Sequence, residues 1–393
     1  MKYFFYLLAS FFLFNCNNYN YLKDNYKNNI NLVKTHTKVI ELTTNYGNSR
    51  ISIVPELQGR ILTSSFNGID GISNGWINKK ESLINLQNIG GEERLWLGPL
   101  GGQYSFYYQN INPLDENNWK VPDAIANGEF EITNKNETSV TMTKGMKLIN
   151  HLGTTFNLKI NRKISILDKS EIKNKLSINF DESIKHVAYK TTHSLVNKGL
   201  SSWYKQTGLV SLWSANMFVG TDNTTVIIPL KKASSLDSIY KYMGDLDANR
   251  LQIKNSNILL FKADGKYRSK IGIPKSLAPS VYGCYTKDKK RLTIVQYLET
   301  NDSLYANSYV TKQKTPYKGE VIPIYNDGPM DYSPTNKHSF FELESTSSMR
   351  ELQPKTDTLK HWHSVYHFSG DEHKLNELSK TLLGIDLKDC YLD

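Results

Sequence analysis

Phe156-Asn157-Leu158-Lys159-Ile160-Asn161-Arg162-Lys163-Ile164-Ser165-Ile166-Leu167 alternates apolar and polar side chains over most of its length. A period of two puts Phe156, Leu158, Ile160, Ile164 and Ile166 on one face, the mark of a strand that buries one side. Residues 172–178 read as a continuation of the same pattern. Just upstream, residues 128–132 and 139–142 form a hairpin signature across the turn-rich segment 134–137. Residues 39–43, 50–54, 292–298, 338–343 and 363–368 read as further strands. Helical period is scarce. The best helix is Glu372–Leu383, where Leu375, Leu378, Leu382 and Leu383 recur at three- and four-residue steps, with Asp371 as N-cap and Gly384 as C-cap. No linker, composition shift or fixed-period repeat divides the body. The expectation is one all-β domain over residues 38–393: two large antiparallel sheets packed face to face, closed by a short C-terminal helix.

Composition agrees. Aromatic residues make up 11% of the 393, which excludes a disordered chain, because such chains lack the apolar surface to offset their entropy. Three cysteines exclude a disulfide-dense scaffold, and 24 Tyr with 15 Phe against 7 Met favour pleated surfaces over helical bundles. The 48 Lys and Arg exceed the 38 Asp and Glu, for a formal net charge of +10. These basic residues are scattered in short, interrupted runs, so they read as a solvated surface and no nucleic-acid partner is expected. The glycines around Gly98-Pro99 and Gly101-Gly102 lack a Lys-Ser/Thr ending, so no nucleotide cofactor is expected. His361, His363 and His367 share a strand face but span about 20 Å, too far for one metal, so no metal site is expected.

The chain begins with a signal-like segment. Met1-Lys2 supplies positive charge, residues 3–14 are an apolar run too short to cross a bilayer, and Cys16 closes it. Leu13-Phe14-Asn15-Cys16 resembles a bacterial lipobox, with Asn15 where a small residue is usual. The resemblance implies a signal peptide over residues 1–15, lipidation of Cys16, and residues 16–37 as a tether. The expected location is then the bacterial cell envelope, with the membrane met through the lipid anchor alone. Cys284 and Cys390 remain, either as a disulfide or as two buried thiols.

Three segments carry more than architecture. One is Val54-Pro55-Glu56-Leu57-Gln58-Gly59-Arg60-Ile61, followed by Gly90-Gly91-Glu92-Glu93-Arg94-Leu95-Trp96-Leu97-Gly98-Pro99. Another is Thr191-Thr192-His193-Ser194-Leu195-Val196-Asn197. The last is Tyr325-Asn326-Asp327-Gly328-Pro329 with Phe340-Phe341-Glu342-Leu343-Glu344-Ser345. Together they resemble an uncharacterised family of exported bacterial proteins with the galactose-mutarotase-like supersandwich fold. That resemblance implies a concave sheet face that binds carbohydrate. More distantly, Leu343-Glu344-Ser345-Thr346 and Thr192-His193 resemble the base-bearing strand and a mid-chain histidine of aldose 1-epimerases. An earlier histidine of those enzymes has no counterpart; Arg94 stands in the comparable region.

Opening a pyranose needs a base for the anomeric hydroxyl and an acid for the ring oxygen. Glu344 is the candidate base and His193 the candidate acid. Glu342 and Glu344 share a strand face, which is either solvated or a polar cleft. The glycines of Gly90-Gly91 would let backbone approach a ligand, with Arg94 forming either a structural ion pair or a clamp for sugar hydroxyls or a uronate. Trp96 is the indole chosen as a sugar platform, the other tryptophans being assigned to the core. Glu93, Arg60, Asp327 and Glu342 complete the candidate substrate-binding set, with Asp327 equally a turn-former. The competing readings are a non-catalytic glycan-binding lipoprotein, a structural envelope protein and a polysaccharide lyase.

Overall fold

The computed structural model describes residues 25–79, 86–108 and 114–392. The expected signal segment and Cys16 lie outside them. Strands and helices are numbered along the chain. A nine-stranded sheet runs, in spatial order, β1 (Ile40–Thr44), β2 (Ser49–Val54), β3 (Arg60–Ser65), β6 (Glu93–Gly98), β11 (Ser211–Val219), β20 (Phe340–Thr346), β19 (Glu320–Asn326), β16 (Ser269–Pro274) and β13 (Tyr240–Met243). A ten-stranded sheet runs β14 (Leu251–Lys254), β15 (Ile258–Lys262), β12 (Thr224–Pro229), β17 (Val281–Thr286), β18 (Arg291–Tyr297), β21 (Thr358–Ser369), β10 (Lys185–Asn197), β9 (Thr155–Leu167), β8 (Ser139–Ile149) and β7 (Glu131–Lys135). β4 (Trp76–Ile77) and β5 (Gly90–Gly91) form a short separate ladder. These pairings are antiparallel, so the expected two-sheet sandwich is the fold.

The main core fills the space between the sheets. β9 feeds it every second residue: Phe156, Leu158, Ile160, Ile164 and Ile166 are buried, while Lys159 and Lys163 point to water. Parity also sends Arg162 inward, where it is fully buried. The interlayer therefore carries a polar seam. Arg162 ion-pairs with Glu93 and donates to the Gly59 carbonyl at 3.1 Å. His367 bridges Glu92, at 3.1 Å, and Thr293, at 2.9 Å. Ser345 Oγ lies 2.8 Å from a ring nitrogen of both His361 and His363. Buried charge of this kind persists only when paired and hydrogen-bonded.

Three helices cover outer surfaces. Residues 172–178 are not strand: α3 (Lys169–Leu176) occupies most of that stretch. Asp168 caps it through Glu171 N and Glu171 reaches back to Asp168 N, a capping box that outweighs the apparent alternation. Its Ile172 and Leu176 pack on the outer face of the ten-stranded sheet beside α4 (Glu372–Leu383). α4 has the expected bounds and caps: Asp371 accepts from His373 N at 3.0 Å and Gly384 is left-handed at φ 69°.

The expected tether over residues 16–37 is also corrected in its second half. α1 (Tyr26–Lys34) is a docked helix whose Tyr26, Ile30 and Val33 are buried against Val54, Leu57, Leu62 and Ile89. The Asn-rich composition hid an apolar stripe at four- and three-residue steps, and Asn25 caps it through Asn28 N at 2.9 Å. α2 (Asp123–Ala126) lies in the loop segment that borders the cleft described next. Cys284 and Cys390 are both buried free thiols.

Candidate functional site

The outer face of the nine-stranded sheet is built by residues of one parity. Trp96 pairs in register with Trp213, and Arg94 with Ala215. Ala215 pairs with Glu344 and Met217 with Glu342. Glu342 pairs with Tyr325 and Tyr325 with Lys270. Intervening residues such as Leu95, Leu97, Leu343 and Ser345 face the interlayer. Trp76, Asn88, Gly90, Leu100, Tyr108 and residues 117–126 border this face, leaving a cavity of about 750 Å³. That is the size of a small-molecule site.

The floor and one wall are aromatic. Trp96 lies 5.7 Å from Trp213, 5.7 Å from Tyr107 and 6.0 Å from Trp119, centroid to centroid. Trp119 stacks on Tyr107 at 5.4 Å and stays 39% exposed, so its face is open to the cavity. The Arg94 guanidinium lies 4.3 Å above the Trp96 ring and the Lys270 ammonium 5.0 Å above Trp213. These cation–π contacts hold both charges at the cavity wall.

Glu342 faces the cavity and pairs with Arg94 at 3.2 Å. Burial, followed by the neighbouring Glu344 charge, pushes its carboxyl up to about 7. Glu344 is fully buried one step along the strand. It accepts from Trp213 Nε1 at 2.5 Å and faces Lys270 Nζ at 3.6 Å. Its carboxyl is also raised by burial, with Lys270 and Trp213 opposing the rise. Because the Glu344 charge adds to the rise at Glu342, the two carboxyls titrate as an interacting pair, with Glu342 the member open to the cavity.

Arg60 lies against Gly90 and Gln58, donating to the Gly90 carbonyl and, at 3.2 Å, to Gln58 Oε1. Burial, then the nearby Arg94 and Arg162, lowers its guanidinium to about 9. Gly90 and Gly91 have φ of 85° and 124°. A Cβ on Gly91 would sit 2.5 Å from Arg60 Cδ, and one on Gly90 2.5 Å from the Trp76 ring. The two glycines thus seat Arg60 and Trp76, rather than a ligand, against the backbone.

Of the expected site residues, Arg60, Arg94, Trp96 and Glu342 meet at the cavity. Glu344 lies behind Trp213 and Lys270 rather than on the surface. Three others require correction. His193 is on β10, in the opposite sheet, fully buried, with Nε2 3.4 Å from both Arg162 Nη1 and Ser214 Oγ. Burial drives its imidazole well below the ordinary value, so it stays neutral inside the sandwich. Glu93 points the same inward way, into Arg162. Asp327 stays at its turn, accepting from Tyr325 Oη at 2.9 Å and Ser339 Oγ at 2.5 Å. It positions Tyr325 and does not line the cavity.

Lys270, Arg268, Trp213, Tyr325 and Trp119 also line the cavity and were not among the expected site residues. They come from strands and loops far apart in the chain, and only register brings them together. Among the described residues, no group of three or more His, Cys, Asp or Glu side chains is placed to hold a metal ion.

Two stacked antiparallel sheets with a cleft on the outer face of one define a galactose-mutarotase-like β-sandwich. The chain belongs to the family of unknown function DUF6786, whose model matches residues 24–392. Among solved structures, a candidate aldose 1-epimerase from Escherichia coli K12 superposes with a TM-score of 0.50 at 12% identity, over 84% of this chain and 98% of that one. A galactose mutarotase-like protein from Lactobacillus casei gives a TM-score of 0.49 at 9% identity, over 84% and 100%. No curated protein matches the sequence.

Proposed function

We propose that the cleft binds a carbohydrate and that the Glu342–Glu344 pair moves a proton at the sugar's anomeric centre. The observation that carries this reading is the pairing of an indole-walled cavity with a carboxyl whose proton is lost near neutral pH. Sugar C–H faces pack on indole rings, and a base titrating near the working pH is the most effective proton acceptor. The E. coli relative's description as an epimerase supports the substrate class at the level of fold analogy.

In this reading Glu342 is the base, in place of Glu344. As a carboxylate it accepts the anomeric hydroxyl proton, and the buried Glu344 charge beside it raises its proton affinity. As the bond from the anomeric carbon to the ring oxygen breaks, the Lys270 ammonium gives a proton to that oxygen and Arg94 stabilises its developing negative charge; on ring closure the proton returns to Lys270 and Glu342 gives its proton back to the anomeric oxygen. Trp96, Trp119 and Trp213 fix the ring plane.

A second reading, binding without turnover, is favoured by one specific observation. Among the described residues no histidine lines the cavity, so the imidazole acid expected at residue 193 has no replacement of its own kind. Saturation-transfer NMR on free aldoses and uronic acids tests the shared part of both readings. Transfer should appear for at least one sugar and weaken in Trp119→Ala; no transfer to any sugar would refute both.

The lipid anchor also remains a proposal. The apolar run ending at Cys16 supports it, with α1 beginning ten residues later. No helix among the described residues is long and apolar enough to cross a membrane. Incorporation of labelled fatty acid that is lost in Cys16→Ser tests it.

A further inference from the structure

The charges around the cavity are unbalanced. Among the described residues Arg60, Arg94, Arg268, Lys270 and Lys120 line it, against the carboxylates of Glu342 and Asp123 alone. Glu344 adds no charge to the lining itself, because it lies behind it at 3.6 Å from Lys270. Guanidinium and ammonium groups only donate hydrogen bonds. A neutral sugar offers hydroxyls that donate as readily as they accept, so it would use only part of this cationic donor surplus. The lining instead suits a ligand rich in acceptors and negative charge.

Arg268 sharpens the point. It stands beside Tyr325, its guanidinium carbon 5.9 Å from the ring centroid, and touches Met330. No carboxylate pairs with it among the described residues, and its buried Nε lacks a hydrogen-bond partner. Arg94 Nε is buried without a partner too. Arg94 pairs with Glu342, Glu342 is in register with Tyr325 and Tyr325 with Lys270, so Arg94, Lys270 and Arg268 mark out one side of the cavity. A planar guanidinium presents parallel N–H groups spaced for two oxygens of one anionic group.

We propose that the ligand is an acidic sugar, its anionic oxygen group held by Arg94, Arg268 and Lys270 while its ring lies on the tryptophans. This rests on the carbohydrate reading and names the substrate class within it. A carboxylate, sulfate ester or phosphate ester presents the shared chemistry.

Isothermal titration calorimetry separates the sources and the two levels of the claim. Glucuronate, glucose 6-sulfate, glucose 6-phosphate and neutral glucose are titrated into the protein at low and high salt, with acetate and sulfate as ring-free controls. At least one acidic sugar should bind about tenfold or more tighter than glucose, and its affinity should fall as salt rises. Arg268→Met should remove that advantage by weakening the acidic sugar at least about tenfold more than glucose, with the variant's circular dichroism and melting confirming its fold. Arg94→Met, on the other side of the clamp, should likewise weaken the acidic sugar more than glucose. Equal affinity for glucose and every acidic sugar overturns the anionic class while the carbohydrate reading stands. Acetate or sulfate binding as tightly as the acidic sugars overturns the role of the ring. No binding by any sugar overturns both.

Discussion

Replacing Glu342 by Gln removes a carboxyl that the fold holds in its neutral form at a cost. In the unfolded chain this group titrates near 4.5; in the folded protein burial and Glu344 move it to about 7. The folded state therefore binds the proton more tightly than the unfolded one. Its stabilising contribution is complete below about pH 4.5, declines as pH rises, and is gone above about pH 7. A rise of this size corresponds to about 3 kcal/mol at about 1.4 kcal/mol per pH unit, an order-of-magnitude figure because Glu342 and Glu344 titrate together. In Glu342→Gln the amide has no proton to lose. Urea unfolding of wild type and variant at about pH 5 and about pH 8 measures the difference directly. Wild type should lose up to about 3 kcal/mol relative to the variant over that interval. Parallel profiles would refute the raised Glu342 carboxyl and with it the choice of Glu342 as base.

Other outcomes follow from the same geometry. Arg162→Met leaves Glu93 charged and unpaired in the interlayer and should cost about 3–5 kcal/mol in chemical denaturation; pairing it with Glu93→Leu should recover most of that loss. Trp119→Ala should leave stability within about 1 kcal/mol, because the ring is 39% exposed, yet weaken sugar binding by roughly 1 kcal/mol in calorimetry. Ile30→Ala should destabilise by about 2–5 kcal/mol if α1 belongs to the fold, whereas a free tether would show no change in urea midpoint.

Alternation made much of the sandwich readable. In β9 the same parity that buries Phe156, Leu158 and Ile160 also forces Arg162 inward, and the structure shows its partner there. α4 was readable from its caps and leucine spacing. α3 was not, because Ile172, Leu176 and Ile178 satisfy a period of two as well as they fit a helix. The Asp168–Glu171 capping box was the signal that separates these. α1 was hidden by its asparagines.

At the site, period two states which residues share a face but not which face meets solvent. Glu93 and Arg94 therefore point to opposite sides of β6, and the buried Leu95 and Leu97 mark Glu93 as the inward one. His193 failed for the same reason: its face of β10 is the interlayer. Glu342 and Glu344 do share the cleft face, but Trp213 and Lys270 roof over Glu344 alone. Those two roofing residues come from β11 and β16, and register across the sheet, invisible in local sequence, places them there.

The central claim is that Glu342 carries a proton for a sugar bound in the cleft. Exchange NMR between the anomers of an aldose or uronic acid shown to bind measures that transfer at equilibrium. The account predicts that wild-type protein accelerates exchange and that Glu342→Gln binds the same sugar without accelerating it. A Glu342→Gln protein that exchanges anomers as fast as wild type would contradict it.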